Sequence, residues 1–236
     1  MWLSSTMKMM MRIRYLLILI SLCGCLEKPE TRMFEQATKA YQSKDYKKAI
    51  SLFEKLILST NQSDVRLESA EKLISIYEIQ GDFANKRKKL QFIVVNSPQR
   101  SQRIQAKQKM VDMEFFKLKN YDLAISHYSE LIELGFNQNK NQLMIARCYY
   151  YQNNFDQALY ELERVLKSTK SRGLRFEAEL LKGHIQFAEK KYKKSAMVYT
   201  DLIEHYPTEA KKNFVLLNLA MSQEEDGLYA QAIKSV

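Results

Sequence analysis

The chain is poor in the residues that most often build catalytic, metal or phosphate sites. Its 236 residues include three histidines, three cysteines and six glycines. The histidines, His127, His184 and His205, are dispersed, and the glycines are scattered, so that no glycine-rich phosphate loop is formed. The Gly-x-Ser-x-Gly pattern of hydrolases is also missing. These absences predict that the chain is not an enzyme and that it holds no metal and no cofactor.

Long apolar runs are missing as well. The apolar run Tyr15–Leu22 is far shorter than the roughly 20 residues that a membrane-spanning helix needs. Three basic residues precede it, Lys8, Arg12 and Arg14. A positively charged start followed by a short apolar run is typical of a secretory signal, so residues 1–24 are predicted to be a signal peptide.

The signal ends in Leu22-Cys23-Gly24-Cys25, which resembles the lipobox of bacterial lipoproteins. In that family the last cysteine is lipidated on sulfur and becomes the mature N-terminus, and the resemblance implies this role for Cys25. It also implies an outer-membrane location facing the periplasm, because position 26 is not an aspartate. Residues 25–31 would then form a short tether. The alternative is an ordinary signal peptide that contains a cysteine by chance.

Cysteine chemistry is limited by the same prediction. If Cys23 leaves with the signal and Cys25 carries lipid, Cys148 is alone and no intramolecular disulfide can form. Cys148 lies between Ala146 and Tyr149 in a predicted helix. A lone cysteine in this setting is expected to be a small buried hydrophobic residue. The alternatives are an intermolecular disulfide and a reactive thiol.

The chain is basic, with 37 lysine and arginine residues against 27 aspartate and glutamate residues. Removal of residues 1–24 takes away three basic residues and no acid, which leaves a net charge of about +7. The densest runs are Lys86–Lys89 and Lys190–Lys194. An exported chain is not expected to bind nucleic acid. Anionic lipid, peptidoglycan and an acidic protein are the candidate partners of these basic residues. The simplest interpretation is that the basic residues lie on solvated helix faces and bind no particular partner.

A pattern of an aromatic residue, two spacers and a small residue recurs six times. The aromatic positions are Tyr46, Phe83, Tyr121, Phe155, Tyr192 and Tyr229, and the small positions are Ala49, Lys86, Ala124, Ala158, Ser195 and Ala232. Successive small positions lie 37, 38, 34, 37 and 37 residues apart. A fixed period in this range is typical of a repeat array, in which each unit packs on its neighbours.

Each repeat is predicted to be a helix, a short turn and a second helix. Bulky apolar residues follow the small position at spacings of four and seven, and a second apolar segment precedes it, as amphipathic helices require. Gly81 and Gly227 fall in the predicted turns. Pro98 and Pro207 both come twelve residues after a small position, where each is expected to end a second helix.

The array resembles the tetratricopeptide repeat. Repeat five carries landmarks of that family at Gly183, Tyr192, Ser195 and Pro207. The resemblance implies an all-α fold, a right-handed α-solenoid of helix-turn-helix units. Six such repeats would occupy residues 32–236, the last of them incomplete.

Two departures from the family pattern carry expectations of their own. Lys86 stands where a small residue belongs, so repeat two is expected to pack more loosely. In repeat six, the second helix has only Tyr229–Val236, which should leave Leu216, Leu217 and Leu219 poorly covered. This end is expected to fray, to dock on a partner or a second copy, or to mark a truncated form of a longer protein.

The resemblance also implies a binding surface, because the first helices of this family line a concave face. In the register of this sequence the face comprises Lys109, Met113, Phe116, Lys117, Lys140, Leu143, Arg147, Tyr150, Tyr151, Leu180, His184 and Phe187. Cations and aromatics predict a groove for an extended or helical peptide with acidic or aromatic residues. The eight candidate binding residues, called the predicted stripe below, are Lys109, Phe116, Lys140, Arg147, Tyr150, Tyr151, His184 and Phe187. The alternative is that several of these aromatics pack between repeats.

A lipoprotein signal joined to such repeats resembles the BamD-type lipoproteins of outer-membrane protein assembly. It is also similar to pilotin-type lipoproteins of pilus assembly and to periplasmic coordinators of envelope constriction. All of these are scaffolds, so the expected function is a lipid-anchored periplasmic scaffold that binds protein or peptide partners of the envelope. The competing hypothesis is the helical accessory domain of a peptidoglycan-active enzyme of the lytic transglycosylase kind, without its catalytic domain.

Overall fold

The computed structural model of the protein describes residues 29–210 and 213–235, and no strand occurs in either range. The predicted all-α fold is therefore confirmed. The predicted signal peptide and the lipidation site at Cys25 lie outside the described residues. The first helix begins at Pro29, so residues 29–31, predicted as the end of the tether, are helical.

The chain divides into two compact units, Met1–Gln99 and Arg100–Val236. The described part of the first unit consists of α1 (Pro29–Gln42), α2 (Tyr46–Ser59), α3 (Ser63–Gln80) and α4 (Phe83–Asn96). The second unit contains α5 (Arg100–Asp112), α6 (Tyr121–Glu133), α7 (Gln138–Tyr151), α8 (Phe155–Ser168), α9 (Arg172–Ala188), α10 (Tyr192–His205), α11 (Pro207–Ala210), α12 (Asn213–Glu225) and α13 (Tyr229–Ser235). Apart from the short α11, these helices form pairs, and each pair is the first and second helix of one predicted repeat.

Helix α5 continues directly into a π-helix, Met113–Leu118, which the sequence pattern did not predict. The spacing of 38 residues between Lys86 and Ala124 is the longest in the array. A π-helix bonds each amide five residues back instead of four, and it thereby accommodates an extra residue within a helix. The segment ends at Lys119, whose positive φ of 51° stops the helix.

The turns inside the helix pairs share one backbone design. One residue of each turn has a positive φ and stands at what we call the left-handed position: Lys44, Gly81, Lys119, Asn153, Lys190 and Gly227. The next residue, at what we call the cap position, precedes the second helix. The cap side chains of Asp45, Asp82 and Asn120 accept hydrogen bonds from the backbone N–H three residues later. The predicted glycine turns are confirmed, whereas the lysines at the left-handed position were not foreseen.

The predicted small positions are where the paired helices approach one another. Ala49, Ala124, Ala158 and Ser195 are completely buried. Lys86, which breaks the pattern, is also buried, and its amine pairs with the carboxylate of Glu78. The ion pair explains how a long cationic side chain occupies this position, because a buried charge needs a partner.

Each unit has its own apolar core. The first unit buries large side chains from α2, α3 and α4: Phe53, Leu56, Leu73, Ile76 and Leu90. In the second unit, one cluster joins α5, α6 and α7 and another joins α7, α8 and α9. A third cluster joins α9 and α10 to α12. Consecutive pairs within the second unit therefore share core residues, as a repeat array requires.

Helix α12 presents apolar residues in two directions. Val215 and Leu219, four residues apart on one face, are buried with Tyr199 and Leu202 of α10. The prediction that Leu219 is poorly covered is therefore wrong, because this face packs on the preceding pair. Leu217 points away from that cluster and is 52% exposed.

Proline ends two of the second helices, as the sequence predicts. Pro98 follows the end of α4 at Asn96, and Pro207 follows the end of α10 at His205. None of the helices in the described ranges is both long enough and apolar enough to cross a membrane.

Candidate functional site

The predicted stripe lies on the first helices of the second unit, and its members differ in exposure. Lys109, Lys140, Phe116 and Tyr151 are exposed, whereas Arg147, Tyr150, His184 and Phe187 are partly buried. Met113 and Leu143 were predicted to face the same ligand surface, and both are buried, with exposures of 2% and 1%. For these two residues the prediction is wrong, because both are packed into the interior of the protein.

One part of the stripe borders a cavity of about 240 Å³ between α5 with its π-helix, α6 and α7. Phe116 from the π-helix and Lys140 from α7 both line it. The remaining lining combines polar and apolar residues: Gln108, Val111, Asp112, Tyr128, Leu131, Asn137, Asn141 and Met144. The aromatic ring, the amides and Lys140 suit a peptide segment with an apolar side chain and an acidic group placed on the lysine side, away from Asp112.

A second cavity of about 240 Å³ lies between α7, α9, α10 and α12. Three stripe residues line it, Tyr150, His184 and Phe187. The lining is completed by Ala188, Tyr199, Asn218 and Met221. This second cavity is more aromatic than the first, and it carries no formal charge other than any proton on His184.

An aromatic cluster joins the π-helix, the first residue of α6 and the C-terminal end of α7. Phe115 contacts Phe116, Tyr121 and Tyr151, with ring centroids 4.7, 5.7 and 5.7 Å away. Tyr121 and Tyr151 are stacked at 5.4 Å, and Tyr150 meets Tyr151 edge to face. Phe115 is buried, whereas Phe116 is 62% and Tyr151 52% exposed. The cluster therefore holds two exposed rings on a rigid buried base.

Arg147 is less available than the sequence suggests. Its Nη2 donates to Oε2 of Glu177 on α9 at 2.9 Å, and its Nη1 lies 3.7 Å from Sδ of Met144. The side chain therefore connects two first helices, and its charge is partly compensated by Glu177. Exposed ion pairs of this kind contribute little to stability, so Arg147 can change partners at a modest cost.

His184 also bridges two first helices. The amide Nδ2 of Asn218 on α12 lies 3.1 Å from Nε2 of His184, which can accept this hydrogen bond only when that nitrogen carries no proton. Burial lowers the pKa of His184, and the nearby Arg147 cation lowers it further. The residue is therefore neutral at pH 7, and the cations left exposed in the predicted stripe are Lys109 and Lys140.

The structure thus brings most, but not all, of the predicted stripe together. Phe116 and Lys140 share the first cavity, and Tyr150, His184 and Phe187 share the second. Tyr151 lies in the aromatic cluster with Phe116 and Tyr150. Lys109 lines neither cavity.

The predicted stripe does not include the two residues that α12 contributes to the second cavity. Met221 lies 37 residues after His184, which is one full period, so the register carried into repeat six would have identified it. Asn218 lies 34 residues after His184 and has no such match. Its role depends on the packing of α12 against α9, which the periodic pattern does not describe.

A further cavity, of about 320 Å³, lies between α9 and α10, and charged side chains surround it. Arg175 and Lys182 alternate there with Glu179 and Asp201. Within the described ranges, no group of three or more metal-binding side chains is found. The sign of charge is mixed, so this cavity favours no particular ligand.

The tetratricopeptide-repeat family model matches residues 140–168, which span α7 and α8. The crystal structure of a tetratricopeptide repeat protein from Parabacteroides merdae ATCC 43184 is similar, with a TM-score of 0.56 and 15% identity over 89% of this chain and 78% of that chain. The crystal structure of PilW, a widely conserved type IV pilus biogenesis factor, is similar with a TM-score of 0.54 and 12% identity, over 89% of this chain and 91% of that chain. MamA has a TM-score of 0.53 and 14% identity over 72% and 87%.

No curated protein sequence matches the chain. The helix pairs, the matched repeat and these structural likenesses together establish a tetratricopeptide-repeat fold.

Proposed function

We propose that the chain is a non-catalytic scaffold of the bacterial cell envelope that binds a protein or peptide partner. The observation that carries this proposal is the pair of cavities on the first helices, with the exposed rings of Phe116 and Tyr151 beside them. Exposed aromatic residues on a rigid base are the usual anchors of protein interfaces. A tetratricopeptide-repeat fold supports the proposal, because solenoid repeats present extended binding surfaces.

The bound segment is expected to place an apolar or aromatic side chain between Phe116 and the first cavity, with an acidic group near Lys140. The cavity is small enough for one such side chain, and the lysine supplies the single exposed cation on its rim. The partner would then continue past Tyr151 toward the second cavity, whose lining is uncharged at neutral pH.

We call the two cavities and the exposed rings of Phe116 and Tyr151 the groove. Its role is tested by capturing the partner from a detergent-solubilised envelope extract and identifying it by mass spectrometry. The double variant Phe116→Ser with Tyr151→Ser should lose the partner, because truncation of true anchor residues costs about 2 kcal/mol or more. Both side chains are more than half exposed but also contact the aromatic cluster, so helicity should be kept while the thermal midpoint falls modestly. The capture is therefore measured at a temperature where both proteins are folded.

Tyr160→Ser is the matched control. Tyr160 is 59% exposed but lies on α8, a second helix, away from both cavities. Capture by this variant should equal that by the wild type. Equal loss in the control and the double variant would refute the groove, and so would normal capture by the double variant.

We further propose that lipid on Cys25 holds the scaffold on the outer membrane, facing the periplasm. The support is the sequence Leu22-Cys23-Gly24-Cys25 after a short apolar run. A lipidated cysteine with more than one acyl chain anchors stably, whereas a single chain does not. Cys25→Ser should give either a soluble protein or an unprocessed precursor on cell fractionation. A processed variant that stays with the membrane would contradict the anchor.

Two assembly roles fit this scaffold. Outer-membrane protein assembly is the role suggested by the resemblance to BamD-type lipoproteins. Pilus assembly is the second candidate, favoured by the likeness in fold to the pilus biogenesis factor PilW over nearly the whole of both chains. The identity of the captured partner separates them, and capture of a peptidoglycan-active enzyme would favour an accessory role instead.

A further inference from the structure

The turn between α9 and α10 is unusually basic. Residues 189–194 read Glu-Lys-Lys-Tyr-Lys-Lys, which gives four lysines against one glutamate. All four lysines are exposed. Lys191 pairs with Glu189 at 2.7 Å, whereas the side chains of Lys190, Lys193 and Lys194 form no ion pair with the described part of the chain. We call this segment the basic turn.

Lys190 stands at the left-handed position, with a φ of 60°. Left-handed backbone is unfavourable for residues with a Cβ, and glycine or asparagine relieves most of that cost. The equivalent residues in other pairs are Gly81, Asn153 and Gly227, which relieve that cost, and Lys44 and Lys119, which do not. A lysine at this position of the basic turn therefore lowers local stability.

Lys191 stands at the cap position, where it makes no side-chain hydrogen bond to the helix. A lysine has no acceptor atom and so cannot cap exposed N–H groups. In three other pairs this position is Asp45, Asp82 or Asn120, and each of those side chains accepts such a bond. In the remaining two pairs, Asn154 makes no cap hydrogen bond and Leu228 has no polar side chain. The backbone at Lys191 (φ −87°, ψ 58°) resembles that of Asp45, Asp82 and Asn120, so geometry does not require the lysine.

Lys193 and Lys194 lie in the first turn of α10, which contains no acidic residue. The N-terminus of a helix carries a partial positive charge, so cations there are unfavourable. By contrast, α6 has Asp122 and α8 has Asp156 in the first turn, whereas α2 and α4 also lack an acidic residue there. The basic turn thus departs from three local stability rules, and every departure adds or retains positive charge.

The turn between α1 and α2 repeats the pattern in the first unit. Lys44 has a φ of 62° at the left-handed position, and Lys47 and Lys48 follow in the first turn of α2. All three are exposed. Here Asp45 keeps the cap, so the departure is weaker. The shared pattern is Lys-x-Tyr-Lys-Lys, and it begins at Lys44 and at Lys190.

We propose that the basic turn binds the anionic headgroups of a phospholipid membrane surface. At the left-handed position, at the cap position and in the first turn of α10, a lysine stands where another residue would be more stable. Lysines kept at a cost in stability indicate that the positive charge has a function. The lysines line none of the cavities described above, and a row of exposed lysines suits an extended charged surface better than a single small anion. This contact does not depend on the groove or on the lipid at Cys25.

The test is co-sedimentation of the purified full chain with vesicles of phosphatidylcholine alone and of phosphatidylcholine with 30% phosphatidylglycerol. The N-terminal segment is the same in all variants, so any binding that it causes is the same in all of them. The quantity compared between variants is the increase in bound protein when phosphatidylglycerol is added to the vesicles. Lys190→Gln with Lys193→Gln and Lys194→Gln should reduce this increase about tenfold, because each lysine near an anionic surface contributes to binding. The wild-type increase should shrink strongly in high salt.

The control removes the same charge elsewhere, by Lys39→Gln, Lys55→Gln and Lys170→Gln. These three side chains are exposed and lie outside the basic turn and the turn that contains Lys44. Binding by this control should stay within about twofold of the wild type. Equal losses in the two triple variants would overturn the proposal, and so would a wild-type chain that gains nothing from phosphatidylglycerol. Loss of binding to polyglutamate without loss of vesicle binding would also overturn it, in favour of an acidic protein partner.

A second variant distinguishes binding from a structural role. Lys190→Gly with Lys191→Asn restores the residues that other pairs use at the left-handed and cap positions. We expect this variant to melt at a higher temperature than the wild type and to bind the anionic vesicles more weakly. Unchanged vesicle binding would contradict the proposal, whatever the change in melting temperature.

Discussion

Gly183 on α9 lies directly against the ring of Tyr199 on α10. A Cβ at Gly183 would stand 2.7 Å from Cε1 and 2.9 Å from Cζ of Tyr199, which is closer than real side chains approach. The ring cannot easily move, because Tyr199 is 1% exposed and packs with Leu202 and Val215. The glycine that marks the repeat in the sequence is therefore a packing requirement.

Gly183→Ala is predicted to destabilise the protein by about 1–3 kcal/mol, since overpacking outweighs the gain in helix propensity. The control is Gly173→Ala on the same helix, where the nearest side-chain atom would be Oγ of Ser171 at 4.0 Å. That variant should be neutral or slightly stabilising. Chemical denaturation of both measures the difference, and equal effects would contradict the packing argument.

His184 is predicted to make the stability of the protein depend on pH. Its pKa is lowered by burial and by Arg147, so the unfolded chain takes up a proton near 6.5 while the folded chain does not. The contribution of His184 is therefore complete above pH 6.5 and is lost as the pH falls toward its folded pKa. His184→Gln should make the fall in unfolding free energy between pH 7 and pH 5 shallower.

The matched control for this pH dependence is His205→Gln, because His205 is exposed at the end of α10. An equal change of slope in this control would show that the effect is not specific to His184. An unchanged slope in His184→Gln would show that the residue is solvated in the folded protein.

Cys148 is predicted to be unreactive in the folded protein. It is fully buried, as expected from the sequence, and burial raises the pKa of its thiol to about 12. The thiolate is the reactive form, so a thiol reagent should label the native chain at least about a hundredfold more slowly than the unfolded chain. The measurement uses a chain with Cys23→Ser and Cys25→Ser. Similar rates in the two states would contradict burial.

Helix α13 is predicted to fray. It has seven residues, and its apolar side chains Tyr229 and Ile233 are 66% and 80% exposed. Short helices depend on tertiary contacts, and here the buried contact is made by Ala232. Amide hydrogen exchange across Tyr229–Ser235 should be much faster than across α7. Equal protection of the two helices in a demonstrated monomer would refute the prediction.

Most of the fold could be predicted from the repeat period, because a periodic pattern of small and apolar residues reports packing that recurs in every pair. The pattern placed Ala49, Ala124 and Ala158 at the helix contacts, where they are found. It could not predict the π-helix after Asp112 or the lysines at the left-handed position, because those features depend on local backbone conformation. It was also wrong about Leu219, which packs backward onto α10.

The candidate site was predicted less completely than the fold. The stripe was inferred from position alone, and position does not reveal that Arg147 pairs with Glu177 or that burial and Arg147 lower the pKa of His184. Met113 and Leu143 were placed on the stripe by the same rule, but they face the interior. Side-chain partners across neighbouring helices decide these roles, and a single-repeat pattern does not contain them.

The central claim is that a protein partner contacts the groove, and site-specific photo-crosslinking in cells tests it most directly. A photoreactive phenylalanine analogue replaces Phe116, Tyr151 or, as the control, Tyr160. The account predicts a discrete crosslinked protein from positions 116 and 151 and none from position 160. Crosslinks of equal strength at position 160, or none at positions 116 and 151, would contradict the account.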